Sequence, residues 1–412
     1  MLQNIQNPYP AGESVIGDSD RSSNLIIAID AGAIEDRGSR NRGIGKFLVH
    51  QFQALLKLKP DWQFVFCGVE IQPVEDMMEY YREYPNFKYV FWDKLPQLKA
   101  NLLYLPNPLG FTMPYIMDIA NMMKLPMVCT FHDLIPLIFH QMYLDHNESY
   151  KAFYLGQIER LKEQCDLFLC NSQYTAKDLA MRVGVPAAKL AVIYAGVTNK
   201  FSLKPSDGAI DSVMWKYGLE KGKFFLFTGV PDQRKNSQGM FAGLEIVRQA
   251  LKQDIKLVFA GDIPEFLVNG LRKIHRTVGL PDELVIFTGY LPDDELIVFY
   301  HSALALLFPS LYEGFGLPIV EAMTAGLPVI AGNNSSQPEA AGDAAILIDV
   351  YNIEQIAKAI LDVYTKPDLR KEMSRKGKIH SQKFTWERTA ELTAGFLRRY
   401  NNSAYNSLSN LH

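Results

Sequence analysis

The chain has 412 residues, of which 48% are hydrophobic and 21% charged, with a formal net charge of −3 at pH 7. A chain of this length exceeds what one hydrophobic core supports, so we expect two domains of similar size. The slightly acidic balance argues against a protein that binds nucleic acid over its whole surface.

The cysteine content and the absence of a recognisable secretory signal or membrane span both predict a cytoplasmic protein. The four cysteines, at positions 67, 129, 165 and 170, form no CxxC pair, and we expect reduced, buried thiols. No segment approaches the ~20 apolar residues that span a membrane. The N-terminus has no secretory signal, and the polar residues 1–23 predict a disordered leader.

Apolar runs alternate with helical patterns in the first half of the chain. The predicted strands are Leu25–Ala31, Trp62–Val69, Leu102–Pro106, Met127–Pro136, Cys165–Ser172 and Leu190–Val197. The predicted helices follow Gly45, lie around Asp76–Tyr84 and over Tyr150–Gln164, and begin near Ser172. This alternation predicts a parallel, doubly wound sheet.

A short glycine pair follows the first predicted strand. Gly43 and Gly45 precede a helical pattern, and a glycine turn that leads into a helix can hold a phosphate. A plain tight turn explains two glycines equally well, because the full GxGxxG pattern is absent. Arg37, Arg40 and Arg42 just before them could guide an anionic substrate or belong to a solvated loop.

His132 and Asp133 stand at the end of a predicted parallel strand. Ligands of open parallel sheets bind beyond the carboxyl ends of the strands. His132 is therefore a candidate site residue, with local capping or packing as the alternative.

The βα pattern restarts after a polar segment, residues 198–222, in which we place the interdomain linker. The predicted strands are Phe224–Val230, Lys256–Asp262, Leu284–Tyr290, Ala303–Phe308, Pro328–Asn333 and Ala344–Asp349. The predicted helices are Met240–Leu251, Asp293–His301, Ile353–Tyr364, Leu369–Lys378 and Trp386–Tyr400. A turn is expected at Pro338-Glu339.

The stretch from Leu306 to Pro328 carries the strongest chemical signal. Glu313 lies in a predicted Glu-Gly-Phe-Gly loop, and Glu321 lies eight positions later in a helix that Pro318 starts. The helix N-terminus can bind an anion, and each carboxylate can accept hydrogen bonds from hydroxyls. A sugar joined to a nucleoside diphosphate needs that combination. A solvated loop charge at Glu313 and a helix-start charge at Glu321 are the alternatives.

With Arg234-Lys235, Glu313-x7-Glu321 and His132-Asp133, the sequence resembles the family 4 retaining glycosyltransferases of the GT-B fold. The resemblance runs from Leu25 to Tyr400. It implies two Rossmann-like, doubly wound domains that face each other across a cleft. The domains would be an acceptor-binding one over residues 24–205 and a donor-binding one over 206–385. Residues 386–412 would form a helix that crosses back to the first domain.

The resemblance also implies roles for individual residues. Arg234 and Lys235 would neutralise the diphosphate, Glu321 would bind the ribose, and Glu313 and His132 would lie at the transferred sugar. The remaining donor-binding positions that the family pattern implies are Gly43, Gly45, Gly229, Tyr290, Gly314, Phe315, Gly316 and Leu317. Val230 departs from that pattern, since many relatives carry an arginine there, and the division of work between Arg234 and Lys235 stays open.

The phrases HDLIP and RKN look most like bacterial mannosyltransferases of surface polysaccharide synthesis. The expected donor is GDP-mannose, with no cofactor and no metal, and the expected acceptor is a glycan or a polyprenyl-linked glycan. Such an acceptor is compatible with peripheral contact at the inner face of the membrane; no nucleic acid partner is expected. The alternatives are a non-catalytic sugar-nucleotide-binding subunit, or a glucosyl- or galactosyltransferase that uses a UDP or ADP sugar. A nicotinamide-dependent dehydrogenase with paired Rossmann domains is a further alternative, but this sequence lacks the GxGxxG pattern that such an enzyme would carry.

Overall fold

The computed structural model describes residues 24–35, 43–69, 81–110 and 113–409. The leader at 1–23, Arg37, Arg40 and Arg42, and most of the helix predicted around Asp76–Tyr84 lie outside these residues. The chain divides into unit 1, which contains the residues up to Gly196 and those from Thr385 onward, and unit 2, Val197–Phe384. The interdomain boundary predicted between residues 205 and 206 lies slightly beyond the division after Gly196.

Unit 1 contains, within its described residues, a seven-stranded parallel sheet in the order β3-β2-β1-β4-β5-β6-β7. Its strands are β1 Ile26–Asp30, β2 Gln63–Gly68, β3 Phe87–Phe91, β4 Leu102–Leu105, β5 Met127–Phe131, β6 Leu167–Cys170 and β7 Leu190–Val192. Its helices up to Gly196 are α1 Gly32–Glu35, α2 Gly43–Leu58, α3 Met113–Met122, α4 Ile135–Ile138, α5 His140–Tyr143, α6 Glu148–Gln164 and α7 Gln173–Asp178. The central strands are buried on both faces, which explains their continuous apolar sequences.

Unit 2 contains, in the part of the chain that is described, a six-stranded parallel sheet in the order β10-β9-β8-β11-β12-β13. Its strands are β8 Phe224–Thr228, β9 Lys256–Ala260, β10 Val285–Phe287, β11 Ala305–Phe308, β12 Val329–Gly332 and β13 Ile346–Ile348. Its helices are α8 Asp207–Lys216, α9 Ser237–Leu251, α10 Glu265–Thr277, α11 Asp293–Ser302, α12 Leu317–Ala325, α13 Gln337–Ala341, α14 Ile353–Thr365 and α15 Pro367–Ser381. The prediction of two doubly wound parallel-sheet domains is confirmed.

Three local predictions are wrong. The predicted linker contains the helix α8, whose N-cap Ser206 accepts a hydrogen bond from the backbone N–H of Ala209. The predicted turn at Pro338-Glu339 is the short helix α13. Gly43 and Gly45 lie in the first turn of α2, not in a turn before it. Glycine costs a helix conformational entropy mainly in its interior, so these two positions at the helix start are a mild cost.

The last helix, α16 Trp386–Ser409, packs on α2 within unit 1. The Phe47 ring meets the Trp386 ring edge-on at 5.4 Å.

A buried chain of side-chain hydrogen bonds continues into the sheet. Gln51 Nε2 donates to Thr393 Oγ1 at 3.1 Å, Tyr104 Oη donates to Gln51 Oε1 at 3.2 Å, and Tyr104 also bonds Thr130 Oγ1 at 2.5 Å. The C-terminal helix is therefore joined to the core of unit 1 by polar as well as apolar contacts.

Candidate functional site

The carboxyl ends of β8 and β11 lie side by side where the strand order of the unit 2 sheet reverses. Ligands of open parallel sheets bind at such a switch point. The loop after β8 carries Arg234 and Lys235, and the loop after β11 carries Glu313. The backbone N–H of Leu311 donates to the carbonyl of Arg234 at 2.7 Å, which joins the two loops.

A short, capped turn fixes the two basic side chains. Gln233–Lys235 is a single 3₁₀ turn, and Asn236 after it adopts φ +57°. The Asn236 side chain accepts from the N–H of Gly239 and donates to the carbonyl of Val350 at 2.7 Å. Asparagine tolerates this left-handed conformation better than most residues because its short side chain bonds locally. Arg234 and Lys235 are consequently placed just before the start of α9.

Asp232, Arg234, Lys235 and Glu313 form one group, the ion cluster, in which Asp232 is half-buried and the other three are buried. Lys235 Nζ lies 2.5 Å and Arg234 Nη1 3.2 Å from the same oxygen, Glu313 Oε1. Arg234 Nη2 lies 3.2 Å from Asp232 Oδ2, and Arg234 Nη1 also donates to the carbonyl of Tyr312 at 2.8 Å. Arg234, Lys235 and Glu313 are each less than 10% exposed. Two cations and two carboxylates leave the cluster with no formal net charge.

Burial and charge act in opposite directions on this cluster. Burial alone would raise the pKa of Glu313, but the positive charges of Lys235 and Arg234 hold it below its ordinary value. Burial lowers the pKa of Lys235, and the Glu313 charge opposes that change. Because Glu313 interacts with two cations, we take it as ionised at neutral pH.

Two serines between β12 and α13 hold the Glu313 backbone. Its N–H donates to Ser335 Oγ at 3.0 Å, and its carbonyl accepts from Ser336 Oγ at 2.8 Å. Gln337 Nε2 donates to the carbonyl of Ser310 at 2.7 Å, at the start of the same loop. Ser335, Ser336 and Gln337 were not among the candidate site residues predicted from the sequence. Their only signal was a run of polar residues directly before the Pro338-Glu339 dipeptide.

The glycine loop leads from Glu313 into α12. Gly316 adopts φ +98° as the N-cap, and an added Cβ would lie 3.2 Å from the Ile319 side chain. Phe315 is buried and meets Phe384 edge-on at 5.3 Å. Leu317 is the first residue of α12, so backbone N–H groups of the helix start follow directly after Gly314–Gly316. These groups carry the partial positive charge of a helix N-terminus.

Glu321 lies within α12 and is half-buried. Its Oε2 accepts a hydrogen bond from Tyr300 Oη at 2.7 Å. Glu313, by contrast, contacts Lys235 and Arg234. The two glutamates of the predicted pair therefore have different surroundings.

Gly229 and Tyr290 mark the ends of two other strands of unit 2. Gly229 follows β8 with φ +101°. Tyr290 follows β10 after Gly289, is 75% exposed, and stands beside a backbone bridge between Gly261 and Gly289. Both residues therefore lie just beyond the carboxyl ends of their strands, which end at Thr228 and Phe287 and are shorter than predicted.

His132 follows β5 in unit 1, and its ring is neutral. Its Nε2 lies 3.0 Å from the carbonyl oxygen of Pro106, which can only accept, so Nε2 carries the proton. Burial lowers the pKa of His132 to about 4. The ring meets Phe47 edge-on at 4.9 Å. His132 thus offers an unprotonated Nδ1 rather than a positive charge.

We expect long-range ¹H–¹⁵N NMR spectra to show His132 as the neutral Nε2–H tautomer from pH 8 down to about pH 5. Its folded pKa is below the ordinary 6.5, so the unfolded state takes up the proton first and this histidine makes the protein less stable as pH falls from about 6.5 to about 4. Spectra of His132→Gln assign the signal. Protonation of His132 near pH 6.5 would contradict the lowered pKa, and a neutral ring with its proton on Nδ1 would contradict the tautomer assignment.

The structure brings Arg234, Lys235 and Glu313 into direct contact and places Glu321 in the helix that follows. Gly43, Gly45 and His132 belong to unit 1. The described residues contain no group of three or more His, Cys, Asp or Glu side chains arranged to hold a metal ion. None of the helices in the described part of the chain combines the length and apolarity of a membrane span.

Two family models match consecutive parts of the chain. Residues 70–200 match the model described as Glycosyltransferase Family 4, and residues 210–380 match the model described as Glycosyl transferases group 1. The second match contains the ion cluster, the glycine loop and Glu321.

Among curated proteins, the serotype-specific mannosyltransferase WbdA of Escherichia coli is 29% identical over 273 residues, which cover 66% of this chain and 33% of WbdA. The chain therefore spans about one third of the length of that relative. The O-antigen chain mannosyltransferase B of Escherichia coli is 25% identical over 290 residues, covering 69% of this chain and 71% of that protein.

Solved structures share the fold at low sequence identity. Anabaena HepE in complex with UDP and glucose has a TM-score of 0.72 at 16% identity, covering 91% of this chain and all of HepE. WaaG, a glycosyltransferase involved in lipopolysaccharide biosynthesis, has a TM-score of 0.65 at 14% identity, covering 90% and 99% of the two chains.

Proposed function

Because the chain belongs to the GT-B glycosyltransferases of family 4, we propose that it transfers a hexose, mannose in the first place, from a nucleoside-diphosphate sugar. The observation that carries the proposal is the ion cluster at the switch point of the unit 2 sheet, next to the helix start after Gly316. The resemblance to mannosyltransferases favours GDP-mannose as the donor. We further propose retention of the anomeric configuration, a glycan or lipid-linked acceptor of surface polysaccharide synthesis, and no requirement for a metal.

The reaction breaks the bond between the anomeric carbon and a diphosphate oxygen and forms one between that carbon and an acceptor hydroxyl oxygen, whose proton is released to the leaving diphosphate. Negative charge grows on the leaving diphosphate, and positive charge grows on the sugar ring. Lys235 and Arg234 can stabilise the first, and the Glu313 carboxylate the second. A lipid-linked acceptor would bring the enzyme to the membrane surface.

The neutral ion cluster suggests how the two cations are kept in place before the donor binds. A buried lysine with no partner would lose its proton, because burial disfavours its charged form. Glu313 holds both cations within 3.2 Å of one carboxylate oxygen. A diphosphate that enters beside the cluster therefore meets cations already oriented, so little reorganisation is left for the reaction itself.

The test is a panel of GDP-mannose, UDP-glucose, UDP-galactose and ADP-glucose, each with and without a candidate acceptor glycan. We expect GDP at 100 times its Kd to add about 2.7 kcal/mol to the free energy of unfolding. We expect turnover of GDP-mannose, with the product's anomeric configuration read by NMR. Nucleotide binding without turnover of any donor would favour the sugar-nucleotide-binding subunit instead.

A further inference from the structure

A buried tyrosine, Tyr300, contacts Glu321, the glutamate that the family resemblance assigns to the ribose of the donor. Tyr300 lies in α11, is 1% exposed, and its Oη is 2.7 Å from Glu321 Oε2. On its other side, the same Oη lies 3.1 Å from Thr228 Oγ1, at the end of β8. The three side chains form a row from the central strand of the sheet to α12.

The hydrogen bonds in this row have a fixed direction. An ionised carboxylate only accepts, so Tyr300 gives its single hydroxyl proton to Glu321, and Thr228 then donates to the Tyr300 oxygen. Burial, and next the charge of Glu321, raise the pKa of Tyr300 well above its ordinary value. Tyr300 therefore keeps its hydroxyl proton at neutral pH and donates it to the ionised Glu321 carboxylate.

The tyrosine ring is itself held in place. Phe201 meets it edge-on, with ring centroids 5.2 Å apart and planes at 90°. A phenylalanine would fill the same apolar space. The hydroxyl is the part of the residue that packing alone does not require, and it is directed to a carboxylate on a side chain with three rotatable bonds.

We propose that Tyr300 is a positioning residue for donor recognition, which holds the Glu321 carboxylate in the orientation that binds the ribose hydroxyls. This inference rests on the proposed function, since it takes a nucleoside diphosphate as the ligand. A side chain that is ordered before the ligand arrives loses less conformational freedom on binding. Thr228 contributes to the same positioning, because its hydroxyl donates to the Tyr300 oxygen and so orients the Tyr300 hydroxyl.

The test compares the affinities of GDP, 2′-deoxy-GDP and 3′-deoxy-GDP by calorimetry. We expect the wild type to prefer GDP and Tyr300→Phe to reduce that preference by about 3- to 10-fold. A hydrogen bond to a charged group is worth about a factor of ten or more, and Glu321 keeps its own contacts with the ligand. Glu321→Gln should reduce the preference further, and Thr228→Val less. A merely structural role of Tyr300 would weaken the three ligands equally and leave their ratio unchanged.

Tyr217→Phe is the matched control. It removes a tyrosine hydroxyl that also contacts a glutamate, with Tyr217 Oη 3.3 Å from Glu295 Oε2, and we expect no change in the ratio. In donor turnover, Tyr300→Phe should raise KM with kcat changed less than about threefold, as expected when uniform binding is lost.

The outcomes separate the two claims. If the wild type binds no nucleoside diphosphate, the proposed function fails. If it binds GDP and the deoxy analogues equally, or if folded Tyr300→Phe and Thr228→Val both keep the wild-type ratio, the positioning role of Tyr300 is overturned while the proposed function stands. Should Tyr300→Phe fail to fold, the ratio measured with Thr228→Val decides.

Discussion

The Lys235→Met substitution is expected to lower kcat for sugar transfer by about 10²- to 10³-fold, the usual cost of removing one preorganised charge donor. Lys235 Nζ is buried, and it lies 2.5 Å from Glu313 Oε1 and 4.7 Å from the centroid of the Phe308 ring. A charge in such dry surroundings acts on a leaving diphosphate with little screening by water. Methionine keeps most of the side-chain length and removes the charge. The measurement is single-turnover transfer from GDP-mannose, or from the donor that the panel selects.

The control for this experiment is Lys371→Met. Lys371 is an exposed lysine of α15 that pairs with Asp368 three residues earlier, and we expect its loss to leave kcat unchanged. The catalytic role of Lys235 would be contradicted by a folded Lys235→Met protein that binds donor and keeps more than about a third of the wild-type kcat.

The second large effect concerns stability. Glu313→Gln leaves Lys235 and Arg234 buried with Asp232 as the remaining carboxylate of the ion cluster. Removing one partner of a buried ion pair typically costs about 3–5 kcal/mol. Hydrogen exchange of the β8 and β11 amides should report this loss as faster opening of unit 2. The double variant Lys235→Met/Glu313→Gln should be more stable than Glu313→Gln, because it also removes the buried lysine charge and leaves Arg234 with Asp232 as its remaining carboxylate, while transfer activity stays lost.

The pH dependence of this effect has a definite sign. The folded pKa of Glu313 lies below its ordinary value of 4.5. Its charge therefore contributes stability that is complete above about pH 4.5 and is lost as the pH falls through the lower, folded pKa. The difference between wild type and Glu313→Gln should be constant near neutral pH and should shrink in acid. Equal opening rates in the two proteins at pH 7 would contradict the stabilising role of Glu313.

The sequence predicts the elements of this fold whose signals are local. The apolar runs of β8 and β11, Pro318 at the start of α12 and Gly326 at its end all lie within or beside the elements they specify. Helix α8 was missed because its buried face is narrow, comprising Ile210, Val213 and Met214 among polar residues. Helix periodicity is weak evidence when so few positions are buried.

The contacts that complete the site could not be predicted in the same way. Ser335 and Ser336 reach Glu313 across 22 and 23 residues of chain, and Lys235 reaches it across 78. Such contacts depend on which loops become neighbours at the switch point, and a single sequence carries no direct record of that. The motif identified the residue types, and the strand order of the sheet determined their partners.

The attachment of α16 has a consequence for the order in which the protein is made. When Phe384 has emerged from the ribosome during synthesis, every residue of unit 2 is available for folding. Unit 1 at that point still lacks Thr393, the hydrogen-bond partner of Gln51. Domains generally fold as units during synthesis, the N-terminal one first. In this chain we expect the opposite order of completion, because unit 1 contains the earlier residues but needs α16 to be complete. Unit 2 can therefore finish folding before unit 1.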